Sequence, residues 1–286
     1  MIASIIILTY NSSKYIEHLL ESLQRYNPEI KEKKLGIIIA DNGSKDDTVE
    51  KAKKFKFAKV IENEGNFGFA KGNNLAAKKA NGEFLIFLNP DTKFVSGDIF
   101  DLLKEFENPK VGIVGGEILN FKGEREFSAG KTYTLPRVLL LSLGLEERVG
   151  VRFSPNKRQE VDHVTGAFLA IRADLFEKLN GFDEHYFMYI EDSDLCFRAK
   201  KLGYKVIFST SATIQHLGQG SSNRKFAVVN IYKGLLYFHK KRMSKLSYFG
   251  VLSALRTKAI LLVILGKISH NQYLADTYAE ALKATR

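Results

Sequence analysis

The sequence predicts an α/β protein built on a largely parallel sheet, and three observations carry that prediction. Apolar runs of strand length recur at residues 5–8, 35–40 and 84–88. Helical periodicity or helix start and stop signals fill the stretches between them. The connections are short, and strand–helix alternation of this kind implies βαβ units.

The elements follow in order. Ile5, Ile6, Ile7 and Leu8 form an unbroken apolar run, as expected of a strand buried on both faces. The opening MIASIIILTYN has no basic lead-in and no small-residue cleavage site, so it reads as a strand and not a signal peptide. Ile16, Leu19, Leu20 and Leu23 then repeat at i, i+3, i+4, i+7, one face of a helix. The second run ends in Asp41, after which Ser44 is expected to open a helix with Asp47 as its capping-box partner. A short strand near Val60 and Ile61 precedes a turn at Gly65 and Gly68. A helix from about Ala70 stops at Asn81-Gly82, and residues 84–88 form the next buried strand. Residues 111–114 read as a strand, 120–160 as loops with short elements, and 161–172 as strand material. A helix at 174–179 leads through Gly181 and Phe182 into an acidic cluster, and 206–208 reads as a strand. From Asn223 the pattern is helical and basic, with no internal repeat or low-complexity tract anywhere.

A chain of 286 residues with 45% apolar and 26% charged content is an ordinary globular composition with enough length for a full core. One cysteine, Cys196, excludes an internal disulfide framework and a Cys-based zinc cluster, and points to a reducing compartment. The net charge of +11 is unevenly held. Residues 221–286 carry 12 Lys/Arg and 2 Asp/Glu, or +10, which leaves +1 for the first 220. That asymmetry speaks against a nucleic-acid-binding domain and for an appended surface that meets phosphate or anionic lipid.

Ligands of open α/β sheets bind at the carboxyl ends of the strands. Thr9, Tyr10 and Asn11 follow the first strand, Asp41, Asn42, Gly43 and Ser44 the second, and Asn89, Pro90 and Asp91 the run at 84–88. Asp41 is either a turn residue or a contact to a nucleoside. No GxGxxG follows the first strand and no Walker A motif occurs, which speaks against a nicotinamide enzyme and a P-loop ATPase. Asp91 is either part of an Asn-Pro turn or a ligand to Mg²⁺ or Mn²⁺ bridging a diphosphate. Tyr189-Ile190-Glu191-Asp192-Ser193-Asp194 places three carboxylates in four residues ahead of the helical run at 195–202. Capping explains one or two of them, and the excess suggests a general base. His216 is equally a structural histidine or a ligand.

Five segments in order, SIIILTYN, DNGSKDDT at 41–48, NEGNFGFAKGNN at 63–74, NPDT at 89–92 and GAFLAIRADLFEKLNGFDEHYFMYIEDSDLCFR at 166–198, resemble the inverting glycosyltransferases of family 2, with the closest resemblance to the bacterial rhamnosyltransferases. The resemblance covers residues 1–220 and implies a GT-A fold, with a nucleotide-sugar half over about 1–94 and an acceptor half over 95–220, followed by the basic helical region 221–286. It implies that Asp41 meets the nucleotide beside Thr9, Tyr10, Asn11, Gly43 and Ser44. It places Asp91 and His216 on a divalent metal, with Asn89 where the family's motif has its first aspartate. Asp192, with Glu191 beside it, falls on the general base. Gly72, Asn73 and Asn74 fall where the family contacts the donor, and Gly166 and Ala167 where it shapes the acceptor side. The processive Q-x-x-R-W motif is absent, since the chain has no Trp, so one sugar is added per encounter. The resemblance to the rhamnosyltransferases favours a deoxythymidine diphosphate donor, and a polyprenyl-linked saccharide acceptor would suit the basic tail. A nucleotidyltransferase would need a Gly-rich loop with Arg and Lys where TYNSSKY stands. A non-catalytic surface scaffold is the other alternative.

In the tail, Val228, Ile231, Leu235 and Phe238 share one helical face. Residues 246–266 are apolar but broken by Arg256 and Lys258, and the uncharged stretches are too short to span a bilayer. These helices are expected either to lie on an anionic membrane surface, making the protein peripheral on the cytoplasmic face, to pack on the domain, or to form a homo-oligomer interface.

Overall fold

The computed structural model describes every residue except 31, 146–149, 219–222 and 286. Strands and helices alternate first: β1 (Ala3–Thr9), α1 (Ile16–Tyr26), β2 (Leu35–Asp41), α2 (Thr48–Lys53), β3 (Ala58–Glu62), α3 (Gly68–Ala77), β4 (Phe84–Leu88), β5 (Thr92–Ser96) and α4 (Ile99–Leu103). The middle holds β6 (Val111–Leu119), β7 (Ala129–Gly130), α5 (Leu135–Ser142), β8 (Arg152–Phe153), β9 (Gln159–Val161), β10 (His163–Val164), β11 (Phe168–Arg172), α6 (Ala173–Lys178), α7 (Glu191–Lys201) and β12 (Lys205–His216). Three helices close the chain, α8 (Arg224–Arg242), α9 (Lys245–Ile268) and α10 (Gln272–Lys283).

Among the described residues the main sheet has the path β3-β2-β1-β4-β11-β6-β12-β5, with β9 beside β12. β3, β2, β1 and β4 are mutually parallel, and β6 and β12 run the same way, while β11, β5 and β9 are antiparallel to their neighbours. The mostly parallel α/β sheet that the sequence predicts is therefore the one present. The unbroken apolar runs have a direct cause. Ile5, Ile7, Ile37, Ile39, Ile86 and Leu88 pack toward Leu19, Leu20 and Leu23 of α1. Ile6, Ile38, Leu85 and Phe87 point the other way, toward Ala70 and Ala76 of α3 and Leu195 and Cys196 of α7. Both faces are covered, so alternation disappears, and each fully buried Ile or Leu contributes roughly 1.5–3 kcal/mol.

The chain divides into two compact units. One comprises Met1–Gly130, Phe153–Phe187 and Asp192–Ser221, and contains the main sheet. The other comprises Lys131–Arg152, Met188–Glu191 and Ser222–Arg286, and is helical, with α8, α9, α10 and α5 packed together. The boundary expected at 220/221 falls outside the described residues.

Several expectations are corrected. Ser44 does not open a helix: α2 starts at Thr48, and no side chain caps it from Asp47. The Ser44 hydroxyl is instead spent on Asp41, and Asp46 Oδ1 binds the Thr48 amide and hydroxyl. α3 ends at Ala77, ahead of Asn81-Gly82. The strand expected at 206–208 extends to 12 residues, running on through the polar Ser209, Thr210 and Ser211, where the register with β6 shifts, to His216. The three carboxylates lie in the first turn of α7 and not before it. In α8, Leu235 and Phe238 are buried, but so are Tyr232, Leu236 and His239, so the buried surface is wider than one face. α9 has 24 residues and, by length and composition, is apolar enough to cross a membrane. Arg256 and Lys258 shorten its uncharged stretches without interrupting the helix.

Candidate active site

The site is assembled at the carboxyl ends of β1, β2 and β4. The β1 and β2 loops are stitched to each other. Asn11 donates its amide to Ser44 Oγ at 2.8 Å and accepts from the Lys45 amide at 2.8 Å. Asp41, 3% exposed, accepts at Oδ1 from Thr9 Oγ1 (2.8 Å) and Ser44 Oγ (2.5 Å), and at Oδ2 from the amides of Gly43 (3.0 Å) and Ser44 (2.8 Å). Four donors fill a carboxylate, which has about four lone-pair sites. Asp41 thus fixes the 41–44 turn, and of the candidate residues at this edge Tyr10 and Asn11 are exposed.

The three residues of α3 expected on the donor side, Gly72, Asn73 and Asn74, make structural contacts. Asn73 Nδ2 donates to the Phe69 carbonyl one turn back. Asn74 pairs with the Phe182 backbone in both directions, Nδ2 to the carbonyl at 2.8 Å and Oδ1 from the amide at 2.9 Å. A Cβ on Gly72 would lie 2.6 Å from Leu8 Cδ1 and 2.9 Å from the Asn42 amide group, so the helix can approach β1 only without one.

Strand pairing brings the remaining candidates together. β11 is antiparallel to β4 with Phe168 opposite Leu88, so Gly166 and Ala167 arrive beside Asn89, whose amide donates to the Ala167 carbonyl at 3.0 Å. Gly166 in turn donates its amide to Asp192 Oδ2 at 3.0 Å. β5 follows Asp91 at once and pairs with the end of β12, His216 opposite Thr92, which sets His216 next to Asp91. The Leu217 amide donates to the Asp91 carbonyl.

Asp91 is 7% exposed. Burial raises its pKa above the usual carboxylate value, His216 works against this, and Glu126 adds to it. His216 Nδ1 lies 2.7 Å from Glu126 Oε2. Burial alone would lower the histidine pKa, but the Glu126 hydrogen bond and then the charges of Asp91 and Glu126 outweigh it and raise the value. Glu126 is a further candidate that no sequence signal marks. It sits in the return after β6, held by its amide to the Ile118 carbonyl. The donor set, a buried carboxylate and an imidazole ringed by acidic groups, fits a divalent cation. Among the described residues no three His, Cys, Asp or Glu side chains form a complete metal site, so a diphosphate would have to supply further ligands.

The three carboxylates at the start of α7 separate by environment. Asp194 is fully buried, bonded by Arg198 Nε at 2.6 Å and by Tyr186 Oη at 3.4 Å, and Arg198 also ties the carbonyls of Leu179 and Gly181. Glu191 is 5% exposed. Asp192 is half-buried, with Oδ1 on the Ser193 amide and Oδ2 on Gly166. It alone of the three is both held by backbone and open to a ligand.

Residues 4–179 match glycosyl transferase family 2, and residues 148–218 match a family described as the N-terminal domain of galactosyltransferase. Rhamnosyltransferase WbbL of Escherichia coli K12 is 28% identical over 235 residues, which is 78% of this chain and 85% of that protein. The N-acetylglucosaminyl-diphospho-decaprenol L-rhamnosyltransferase of Mycobacterium tuberculosis is 26% identical over 246 residues, 77% of each chain. Among solved structures, mannosyltransferase PcManGT from Pyrobaculum calidifontis in complex with GDP-Man and Mn²⁺ superposes with a TM-score of 0.59 at 17% identity, over 99% of this chain and 85% of that one. GalNAc-T7 with UDP, GalNAc and Mn²⁺ gives 0.63 at 17% identity, over 84% of this chain and 48% of that one. At such identities the likeness is one of fold, the GT-A type.

Proposed function

The chain belongs to glycosyl transferase family 2 and is a glycosyltransferase, and from that premise we propose a single inverting transfer of a sugar, rhamnose in the first instance, from a nucleoside diphosphate to a hydroxyl of a polyprenyl-linked saccharide in cell-envelope glycan synthesis. One observation carries the reading: the pairing of β4 with β11 and of β5 with β12 brings Asp91 and Asp192 to the same strand end. The names of the relatives support the sugar and the lipid-linked acceptor.

In this reading Asp192 takes the acceptor proton on a lone pair left over by Gly166 and Ser193. The acceptor oxygen forms its bond to the anomeric carbon from the face opposite the leaving group. The bond from that carbon to the phosphate oxygen breaks, and its electron pair leaves with the nucleoside diphosphate, so one displacement inverts the centre. Asp91 and His216 would hold Mn²⁺ or Mg²⁺, which supplies charge stabilisation to the diphosphate when bound. Glu126 keeps His216 oriented through Nδ1. The Asp41–Ser44 turn and the Thr9–Asn11 loop shape the nucleoside side. The basic tail is read as a peripheral attachment to the cytoplasmic face of an anionic membrane, where a lipid-linked acceptor resides.

The test is a screen of nucleoside diphosphates and nucleotide sugars, deoxythymidine and uridine series first, for Mn²⁺-dependent binding. Asp91→Ala is expected to remove the metal-dependent part of the affinity. Equal Mn²⁺-dependent affinity in the variant and the native chain would overturn the metal assignment.

A further inference from the structure

We propose that α9 is an interfacial membrane helix, lying in the plane of an anionic bilayer with its apolar outer face inserted between lipids. The inference rests on the membrane reading above and deepens it by naming the inserting element and its mode.

The outer face of α9 carries two apolar groups at helical spacing, Leu246 and Phe249 near its start and Ile260, Leu261, Ile264 and Ile268 near its end, and Leu246 is 80%, Phe249 61%, Leu261 60% and Ile268 73% exposed. Ser253 and Thr257 lie between the two groups on the same face. Large apolar side chains grouped in water mark an interaction site, unlike isolated ones.

The opposite face of α9 is already used. Val251, Leu255, Ala259 and Gly266 are buried inside the helical unit. A Cβ on Gly266 would lie 2.7 Å from the Ala275 amide nitrogen, so α9 and α10 meet backbone to backbone there. A bilayer-spanning α9 would have to break this packing or carry α10, with Asp276, Glu280 and Lys283, into hydrocarbon, which is costly. Lying in the interface keeps the packing and still removes the outer face from water.

Charge selects lipid over a second copy of the chain. Arg256 and Lys267 are exposed within α9, Lys245 begins it, and no acidic residue occurs from 195 to 275. Two copies meeting through this face would bring cations against cations in an isologous interface. An anionic leaflet offers the complementary sign to the same residues and hydrocarbon to the apolar groups.

The protein has no Trp, so Phe249→Trp in the full chain gives a single fluorescent reporter on this face. The proposal expects its emission to shift to the blue on phosphatidylglycerol-containing vesicles and to be quenched by bromine-labelled acyl chains. A four-site variant, Leu246→Ser, Phe249→Ser, Leu261→Ser and Ile268→Ser, is expected to keep the native circular dichroism and to bind those vesicles at least about tenfold more weakly. If the four-site variant binds as well as the native chain, or the reporter stays unquenched on bound protein, insertion through α9 is wrong while charge-driven attachment stands. A blue shift without lipid that grows with protein concentration overturns the proposal in favour of self-association. If the full chain binds no anionic vesicles at all, the membrane reading falls with it.

Discussion

Asp192 and Asp194 lie two residues apart in one helix turn and differ because of what reaches them. Asp194 is sealed against Arg198, so its charge is already neutralised and no substrate proton can approach it. Asp192 is pinned by the Gly166 amide but keeps an open side, which is what a base requires: fixed geometry and access. Asp192→Asn preserves size and can keep the hydrogen bond from Gly166 at the cost of the one from Ser193, but it cannot take a proton. Transfer is expected to fall by roughly 10²–10⁴-fold with donor affinity unchanged. Steady-state rates alongside nucleotide titration would separate the two, and a variant with unaltered rate would move the base to Glu191. Asp194→Asn is expected to behave differently, as loss of folded protein, because it removes the buried counter-charge of the Arg198 guanidinium, itself only 14% exposed.

At the scale of elements, the segment before α7 is the place, among the described residues, where two successive non-glycine residues take positive φ. Tyr189 and Ile190 have φ of 71° and 72°, a conformation that a β-branched residue adopts at a cost on the order of 1–3 kcal/mol. α8 accommodates it with a glycine: a Cβ on Gly234 would lie 2.8 Å from Ile190 Cγ1 and 3.2 Å from the Tyr189 carbonyl oxygen. Gly234→Ala is therefore expected to destabilise the protein by about 1–3 kcal/mol through overpacking. Adding Ile190→Ala should recover part of that loss in a double-mutant cycle, since the nearest clashing atom is then gone, and strictly additive losses in denaturant melts would contradict the contact. His239, buried in the same helix and hydrogen-bonded to Ser247, gives a pH signature. Burial lowers its pKa below the ordinary 6.5, with a Tyr133 backbone contact working the other way. The unfolded chain therefore binds the proton more readily, and stability falls as pH drops through about 6.5 toward the depressed folded value. His239→Leu should shrink the difference in urea midpoint between about pH 8 and about pH 5, and an unchanged difference would clear His239 of the effect. The same contrast explains what was legible in sequence. Strands such as 35–40 are readable because burial on both faces leaves an unbroken apolar run. The Ser44 helix start was not, because its hydroxyl has a better use on Asp41. Glu126 was not, because its role comes from a strand return far from His216 in sequence. Gly72, Asn73 and Asn74 were legible as a motif, but their packing of α3 against β1 and Phe182 is visible only in three dimensions.

For the whole molecule the decisive quantity is where the charge lies. Residues 1–220 carry +1 and 221–286 carry +10, and Asp276 and Glu280 are the only acidic residues after Asp194. Each basic residue near an anionic leaflet contributes about 1 kcal/mol, and only within a Debye length of it. The apolar face of α9 answers to a different physics, since removal of hydrocarbon from water is not weakened by screening. The two contributions therefore separate with salt. Sedimentation with anionic vesicles is expected to fall steeply as the Debye length shrinks from ~10 Å at 0.1 M to ~3 Å at 1 M, and to level off above zero where insertion alone remains. On vesicles of phosphatidylcholine alone, binding should be weak at every salt concentration and nearly flat, because the electrostatic part is missing from the start. Equal binding to neutral and anionic vesicles at low salt would mean that the +10 tail does not face the membrane, and the concentration of charge in it would then need another partner carrying phosphate or carboxylate groups.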